Sequence, residues 1–152
     1  SCHLEFAPVD AETLRKEWPA ATLQSDPVGA NEIATKIFSA RPQVCHLHLL
    51  LRGTNFQIKV WEALLRIPSG QVRSYLQLSQ MADAPRAQRA VGSALAANTI
   101  AYLIPCHRVI RESGEIGQYR WGSERKQALL GWEAGRCTAT EGQESPTSLS
   151  NR

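Results

Sequence analysis

The chain has 152 residues and a net charge of +3, with 43% hydrophobic and 20% charged residues. This length suits one ordinary domain or two small ones, and the composition is that of a globular protein. No apolar run approaches the ~20 residues that span a bilayer, and nothing resembles a signal peptide, so we expect no membrane partner. Because the sequence begins with Ser1 rather than Met, we expect a processed or trimmed chain.

The positive charge is concentrated in the middle of the sequence. Residues 1–51 carry a net charge of −2, residues 52–136 carry +6 and residues 137–152 carry −1. Ten of the twelve cations in the middle block are arginines, which bind phosphates in a planar, bidentate way. The distribution indicates an anionic partner such as nucleic acid, although a solvated basic face would look similar.

Residues 1–52 are predicted to form a small α/β domain. Strands are predicted at residues 1–6 and at 44–51, where apolar and polar residues alternate. Between them, an aspartate cap begins a helix over residues 10–18, and an Asp-Pro pair begins a second helix over residues 26–38. Prolines at the end of one helix and the start of the other fix these boundaries.

From Gly53 the pattern becomes helical. Capping boxes at residues 54–57 and 74–77 begin two helices, and a third is predicted over residues 87–98. The second and third helices are short and joined by a tight turn, as in a helix-turn-helix, although any pair of packed helices could give this spacing. The predicted core faces comprise Phe56, Val60, Trp61, Leu64 and Leu65 in the first helix, and Ala87, Ala90, Val91, Ala94 and Leu95 in the third.

The remaining segment is predicted to hold a strand, a turn-rich loop and a final helix. Residues 100–104 are apolar and predict a strand, and residues 111–122 are punctuated by glycines. Ser123 caps the last helix, whose core residues are predicted to be Leu129, Leu130 and Trp132. Residues 137–152 have almost nothing to bury and are predicted to be disordered.

Cys106 has two readings. Most free cysteines are small buried hydrophobes. Its neighbours His107, Arg108 and Arg111 would favour a thiolate nucleophile instead. Because side chains diverge on an extended backbone, we expect His107 to act on the thiol through a bridging water, with a distant carboxylate orienting the imidazole. The residues alone leave both readings open.

The other cysteines favour reduced thiols over a metal site. Four cysteines are scattered without the spacing of a disulfide scaffold. Zinc could be held by a set drawn from two predicted strands, but the sequence lacks a CxxC hairpin, so we expect no metal. The candidate zinc ligands are Cys2, His3, Cys45, His46 and His48.

Six segments in order resemble the O6-alkylguanine-DNA alkyltransferases: "GTNFQIKVWEAL", "SYLQL", "RAVGSALAAN", "IPCHRVI", "GQYRWG" and "KQALLGWE". The resemblance implies an α+β protein: a partial, ribonuclease H-like α/β domain at residues 1–52, and a mostly helical, winged-helix-like alkyltransferase domain with a helix-turn-helix at residues 53–136. Residues 137–152 remain a tail. The family's N-terminal domain has further strands upstream, so we expect this one to be trimmed.

The family resemblance also implies an activity. Its members repair duplex DNA by moving an alkyl group from guanine O6, and from thymine O4, to their own cysteine. The reaction follows base flipping and occurs once per molecule. The implied partner is double-stranded DNA containing O6-alkylguanine, and the family uses no cofactor. We expect a monomer, located in the cytoplasm at the bacterial nucleoid or in the nucleus of a eukaryote.

Site residues are carried over from the family by position. Cys106 matches the alkyl acceptor, His107 the base that acts through water, and Glu133 the carboxylate that holds it. Asn98 matches the residue bracing the adjacent turn. Tyr75 matches the tyrosine that rotates the nucleotide and protonates the departing guanine. Further DNA contacts are expected from Arg89, whose side chain enters the base stack, and from Leu76, Gln57 and Ser93. The residues expected to line the alkyl pocket are Val109, Tyr119, Arg120 and Trp121. Arg120 and Trp121 are expected to narrow this pocket.

Two other readings remain. Alkyltransferase-like proteins bind damaged DNA without enzymatic activity and lack the cysteine, so Cys106 counts against that class. A transcription regulator is the second alternative, because "YRWG" and "RKQALL" are similar to the C-terminal half of the bifunctional adaptive-response regulator. The zinc-bearing N-terminal half of that regulator has no counterpart in these residues.

Overall fold

The structure is a computed structural model that describes residues 11–38, 49 and 51–141, with side chains described as far as Cys137. The chain divides into two compact units, residues 1–50 and residues 51–152. No helix among the described residues is both long enough and apolar enough to cross a membrane.

The described residues of the first unit form two helices, α1 at Ala11–Glu17 and α2 at Pro27–Phe38. The Asp26 carboxylate accepts a hydrogen bond from the Gly29 amide at 2.9 Å, which satisfies one of the free amides at the helix start. Both predicted helices are confirmed. The strand predicted at residues 1–6 lies outside the described residues, as does the strand at 44–51 apart from residues 49 and 51, which are not in a strand.

The second unit is mostly helical. Its helices are α3 at Asn55–Leu65, α4 at Tyr75–Met81, α5 at Gln88–Ala96 and α6 at Ser123–Glu141. Two short strands, β1 at Arg73–Ser74 and β2 at Val109–Ile110, pair in parallel. A single 3-10 turn at Cys106–Arg108 immediately precedes β2.

Both predicted capping boxes are confirmed. The Thr54 hydroxyl accepts from the Gln57 amide at 3.2 Å, while the Gln57 side chain accepts from the Thr54 amide at 2.9 Å. Ser74 and Gln77 form the same reciprocal pair at 3.2 and 2.8 Å. These local bonds fix where α3 and α4 begin.

α4 and α5 form the predicted helix-turn-helix. The two helices pack together and against α3, whose Trp61 indole donates a hydrogen bond to the Ala94 carbonyl in α5 at 2.9 Å. In the connecting turn, Asp83 and Arg86 adopt left-handed φ values of 54° and 72°, which reverse the chain within a few residues.

The core lies among α3, α4, α5 and the segment before β2. Four of the ten residues on the predicted apolar faces are not buried: Leu65 is 50% exposed and Ala90 is exposed, while Phe56 and Ala87 are half-buried. The apolar side chains that are almost fully buried include Val60, Leu64, Ile67, Leu78, Val91, Ile104 and Val109, and the indoles of Trp61 and Trp121 are buried as well.

Two further predictions need correction. The run at 100–104 is not a strand: Ile100 lies in an isolated β-bridge and residues 101–104 form turns and a bend, with Tyr102 at a left-handed φ of 64°. The tail boundary at Arg136 was wrong, since α6 continues through Glu141; residues 142–152 lie outside the described part.

Candidate active site

Asn98 fastens the turn that leads to Cys106. Its side-chain amide nitrogen lies 3.1 Å from the carbonyl oxygens of Ile100 and Ile104, and its side-chain oxygen accepts from the Ile100 amide at 2.9 Å. Asn98 is 1% exposed. One buried side chain thus supplies the hydrogen bonds that a strand partner would otherwise supply, which explains why the apolar run at 100–104 is not a strand.

Cys106 is buried in the 3-10 turn, so the extended backbone expected at this point was wrong. The Asn98 amide nitrogen also donates to the Cys106 sulfur at 3.3 Å. Burial raises the pKa of the Cys106 thiol, while the Asn98 hydrogen bond and the nearby charges of Lys126 and Arg120 lower it. A proton acceptor is therefore needed to form the thiolate near neutral pH.

His107 and Glu133 form a fully buried pair. His107 Nε2 lies 3.0 Å from Glu133 Oε1, and neither side chain is exposed. Burial by itself would raise the pKa of Glu133, but hydrogen bonds from His107 and Arg108 lower it to about 2. Glu133 is therefore ionised, and an ionised carboxylate only accepts, so Nε2 of His107 carries the proton.

The remaining ring nitrogen of His107 is the free base of this pair. Nδ1 is buried and has no hydrogen-bond partner among the described residues. With the proton on Nε2, the Nδ1 lone pair is available to accept one. The pairing of His107 with Glu133 matches the arrangement that the family resemblance implies.

Arg108 is a site residue that the sequence reading did not assign. Its Nε lies 2.9 Å from Glu133 Oε2, and its Nη2 lies 2.7 Å from Glu133 Oε1. Nη1 donates to the carbonyl of Ile67, just beyond α3. The guanidinium thus ties the carboxylate of α6 to the end of α3. Its position directly after His107 was the available signal.

The buried face of α6 also differs from the prediction. Leu129 and Leu130 are half-buried and Trp132 is 39% exposed, whereas Lys126 and Glu133 are fully buried. The Lys126 ammonium donates to the carbonyls of Ile116 and Gln118 in the loop before α6. The helix face is thus set by polar contacts to the site.

Cys106 opens into a cavity of about 600 Å³. α4 contributes Tyr75, α5 contributes its C-terminal turn, and the loop at residues 117–120 contributes Tyr119 and Arg120. Arg120 donates to the Ala96 carbonyl at 3.2 Å, which links the loop to α5 across the cavity. The full lining is Tyr75, Gly92, Leu95, Ala96, Cys106, Gly117, Gln118, Tyr119, Arg120 and Ser123.

Both tyrosines of this cavity are neutral phenols. Burial raises the pKa of Tyr75, with the Cys106 charge acting in the same direction and Arg111 opposing it. Burial raises the pKa of Tyr119 most, and the charge of Cys106 and a hydrogen bond with Cys106 act in the same direction. Each keeps a proton to donate at neutral pH.

A second, shallower groove adjoins the first and shares Tyr75 and Gln118 with it. It has a volume of about 440 Å³ and is also lined by Leu76, by Arg89 near the start of α5 and by Arg111. The predicted DNA contacts Tyr75, Leu76 and Arg89 are therefore brought together beside the Cys106 cavity.

Four predicted site residues lie elsewhere. Gln57 uses its side-chain oxygen in the α3 cap. Ser93 is exposed on α5, where its hydroxyl donates to the Arg89 carbonyl at 3.3 Å. Val109 and Trp121 are buried and do not line the cavity, so the structure does not bring them to the pocket wall.

The candidate zinc ligands at the N-terminal end fall outside the described residues. Within the ranges that are described, no group of three or more His, Cys, Asp or Glu side chains could hold a metal ion. The only free cysteines described are Cys106 and the exposed Cys137.

A buried thiol beside a histidine–carboxylate pair, opening next to a helix-turn-helix, defines a DNA-binding domain with a cysteine-centred active site. Comparison with known proteins gives the family. The model of the 6-O-methylguanine DNA methyltransferase DNA-binding domain matches residues 55–135, more than half of the chain. The chain belongs to the O6-methylguanine-DNA methyltransferase family.

Curated relatives agree with this assignment. The chain is 53% identical over 88 residues to the bifunctional transcriptional activator/DNA repair enzyme Ada of Escherichia coli K12. The matched region covers 58% of this chain and 25% of Ada. It is 45% identical over 111 residues to the methylated-DNA–protein-cysteine methyltransferase of Mycobacterium tuberculosis H37Rv, covering 73% of the chain and 67% of that protein. The chain thus spans about a quarter of Ada and two thirds of the mycobacterial protein.

Solved structures give the same result for the fold. The crystal structure of M. tuberculosis OGT in complex with DNA matches with a TM-score of 0.65 at 45% identity, covering 71% of this chain and 67% of that one. In the residues that the structure describes, the chain is mostly helical with few strands, and its fold is similar to that of OGT.

Proposed function

We propose that the protein repairs DNA by transferring the alkyl group of O6-alkylguanine, and of O4-alkylthymine, to Cys106 in a single turnover. The carrying observation is the buried set formed by Cys106, His107 and Glu133, which combines a thiol in a cavity with a histidine whose free nitrogen can accept a proton. The related M. tuberculosis protein is named a methylated-DNA–protein-cysteine methyltransferase, which accords with this chemistry.

The proposed reaction begins with proton transfer from Cys106 to Nδ1 of His107 through a water molecule. The ionised Glu133 stabilises the imidazolium that forms, and Arg108 holds Glu133 in place. The thiolate then attacks the alkyl carbon: the S–C bond forms, the C–O6 bond breaks, and the electron pair moves into the guanine. Since the thioether is stable, the protein reacts once.

The guanine leaves more readily when it receives a proton. Tyr75 lines the same cavity as Cys106, and its raised pKa keeps the phenol protonated until the base becomes anionic. We assign Tyr75 the role of this acid. Asn98 has a positioning role, because its amide binds both the turn and the sulfur.

The target base must leave the duplex to reach Cys106, which costs a few kcal/mol. We propose that the side chain of Arg89, the second residue of α5, fills the gap that the flipped base leaves in the duplex. Leu76 lines the same groove as Arg89. The net charge of +6 in residues 52–136 supplies attraction for the phosphates. Ser93 and Gln57 remain candidate contacts along α5 and α3.

We further infer the domain organisation. The match to the M. tuberculosis protein covers 111 residues, more than residues 51–152 contain, so it reaches into the first unit. Residues 1–52 are proposed as a ribonuclease H-like α/β domain and residues 53–136 as the alkyltransferase domain. We propose a monomer that acts in the bacterial cytoplasm at the nucleoid, or in the nucleus of a eukaryote.

The test is incubation with a duplex that carries radiolabelled O6-methylguanine. We expect one label per protein on the peptide containing Cys106 and none with Cys106→Ser, which should still bind the duplex. Label on Cys137 would overturn the assignment of Cys106 as the acceptor. Binding of damaged DNA without transfer would instead favour a non-enzymatic binding protein. Sequence-selective binding to undamaged DNA would favour the regulatory function in the name of Ada.

A further inference from the structure

Tyr102 occupies a backbone conformation that L-amino acids rarely adopt. Its φ is 64°, in the left-handed region that glycine enters freely and tyrosine does not. It lies between Asn98 and Cys106, in the turn whose ends Asn98 fastens. A bulky residue held in this conformation indicates that its side chain has a use at this site.

The ring of Tyr102 lies parallel to the imidazole of His107. The two ring centroids are 5.9 Å apart and the planes differ by 3°, which is an offset stack. Tyr119 meets the same imidazole edge-on, with centroids 6.5 Å apart. Of these two tyrosines, Tyr119 lines the Cys106 cavity and Tyr102 does not.

The stack continues to the protein surface. Trp132 of α6 meets Tyr102 edge-on at 5.9 Å, and the guanidinium of Arg136 lies 4.5 Å from the Trp132 ring centroid. Trp132 is 39% exposed, so its outer part faces solvent. We name Tyr102, Trp132 and Arg136 the aromatic stack.

The hydrogen bonds of His107 leave the orientation of its ring to be fixed by packing. Nε2 is bound to Glu133, while Nδ1 has no partner among the described residues. Besides its covalent attachment, the ring is hydrogen-bonded at one atom, Nε2, which does not by itself hold the whole ring plane. A parallel aromatic surface restrains the plane itself and keeps water from one face.

We propose that Tyr102 is a positioning residue for His107, and that the aromatic stack fixes the imidazole plane so that Nδ1 points to the Cys106 side. This inference rests on the proposed alkyl transfer for its consequence in the reaction. Its structural content, an ordered His107 ring, is independent of that activity. The contacts of Tyr102 with His107 and Trp132 are made by its ring.

The experiment compares Tyr102→Phe, which keeps the ring, with Tyr102→Leu, which keeps an apolar side chain without it. Leu103→Ala is the matched control, since Leu103 is also half-buried in the same turn. Two quantities are measured: the single-turnover methyl-transfer rate at saturating O6-methylguanine duplex, and the solvent exchange of the His107 Nε2–H proton by NMR. The duplex dissociation constant is measured beside them.

We expect Tyr102→Leu to slow transfer and to speed Nε2–H exchange by roughly twofold to tenfold, the effect of losing one aromatic pair, with an unchanged dissociation constant for the duplex. Tyr102→Phe and Leu103→Ala should match the wild type. If Tyr102→Leu does not fold, Trp132→Leu at the exposed end replaces it, with the same direction and a smaller effect.

The inference is overturned if the leucine variant matches the wild type in either measurement, or if phenylalanine fails to preserve both. An absence of transfer in the wild type itself would refute the proposed function, while Nε2–H exchange would still decide whether Tyr102 orders His107.

Discussion

Lys126 and Glu133 lie seven residues apart on α6, and their side chains are 1% and 0% exposed. Seven residues are two helical turns, so both project from the same face. Lys126 binds two carbonyls of the loop that lines the Cys106 cavity, and Glu133 binds the histidine that follows Cys106. α6 thereby positions both the loop that lines the cavity and the histidine that can accept a proton.

Replacing Lys126 with methionine should loosen the cavity loop. The ammonium donates to Ile116 and Gln118, and methionine has similar length but no donor. Burial lowers the pKa of Lys126 to about 8, so the charge itself is costly and its loss need not destabilise the fold. We expect amide exchange in residues 115–119 to rise by about tenfold, from the loss of one net charged hydrogen bond.

Hydrogen exchange with mass spectrometry checks this prediction, with peptides from α3 as the internal reference. Lys126→Arg, which keeps the charge and donors, is the matched variant. Unchanged protection of the loop in Lys126→Met would show that the loop is held by other contacts.

The stability of the second unit should depend on the ionisation of Glu133. Its pKa falls from an ordinary 4.5 to about 2 in the fold, so the unfolded chain binds the proton first as pH falls. The stabilisation is therefore full above pH 4.5 and is lost progressively as pH falls toward 2. By the conversion of 1.36 kcal/mol per pKa unit, it is on the order of 3 kcal/mol.

Urea unfolding at several pH values between 7 and 2.5 measures this loss. In Glu133→Gln the pH-dependent part should disappear, and the variant should already be destabilised at pH 7, because Arg108 keeps a half-buried charge without its partner. Glu115→Gln, at an exposed ion pair with Arg111, is the control and should change stability by less than about 1 kcal/mol. Parallel pH curves for wild type and Glu133→Gln would contradict the assignment.

Asn98→Ala should destabilise the turn before Cys106. The substitution leaves the Ile100 amide and the Ile100 and Ile104 carbonyls without their side-chain partner. Each buried group left unpaired costs about 1–3 kcal/mol, so we expect the free energy of unfolding to fall by about 3 kcal/mol. Thr99→Ala, one residue on, is the matched control for urea denaturation. A loss equal to that of the control would mean that the turn keeps its shape without Asn98.

Features that depend on hydrogen bonds between residues close in the sequence could be predicted from the sequence. The capping boxes at Thr54 and Ser74 place α3 and α4 because their partners are three residues away. The strand predicted at 100–104 failed because a side chain outside the run, Asn98, supplies its hydrogen bonds. No apolar pattern within five residues carries that information.

The site was predictable only where resemblance supplied the pairing. The 26-residue separation of His107 and Glu133 has no local signature, and neither does the contact of Arg108 with the same carboxylate. Arg108 was read as a neighbour that favours a thiolate, because a buried salt bridge becomes evident only when α6 is packed. Lys126 was missed since periodicity favoured Leu129 and Trp132 as the inward face.

The access of large alkyl groups to Cys106 should depend on Arg120 more than on Trp121. Arg120 lines the cavity and joins the loop to the Ala96 carbonyl at 3.2 Å, whereas Trp121 is buried outside the cavity, edge-on to Tyr119 at 5.2 Å. Arg120→Ala should therefore raise the rate with the free base O6-benzylguanine several-fold relative to O6-methylguanine, since one contact is worth about 1 kcal/mol. Arg125→Ala, which changes an exposed arginine outside the cavity, is the control.

Trp121→Leu should instead lower the free energy of unfolding by about 2–3 kcal/mol, the cost of a large-to-small core substitution, and leave the ratio of the two rates unchanged. Single-turnover rates with both bases, measured beside thermal melting, separate the two residues: a higher benzyl-to-methyl ratio in Trp121→Leu but not in Arg120→Ala would return Trp121 to the pocket wall.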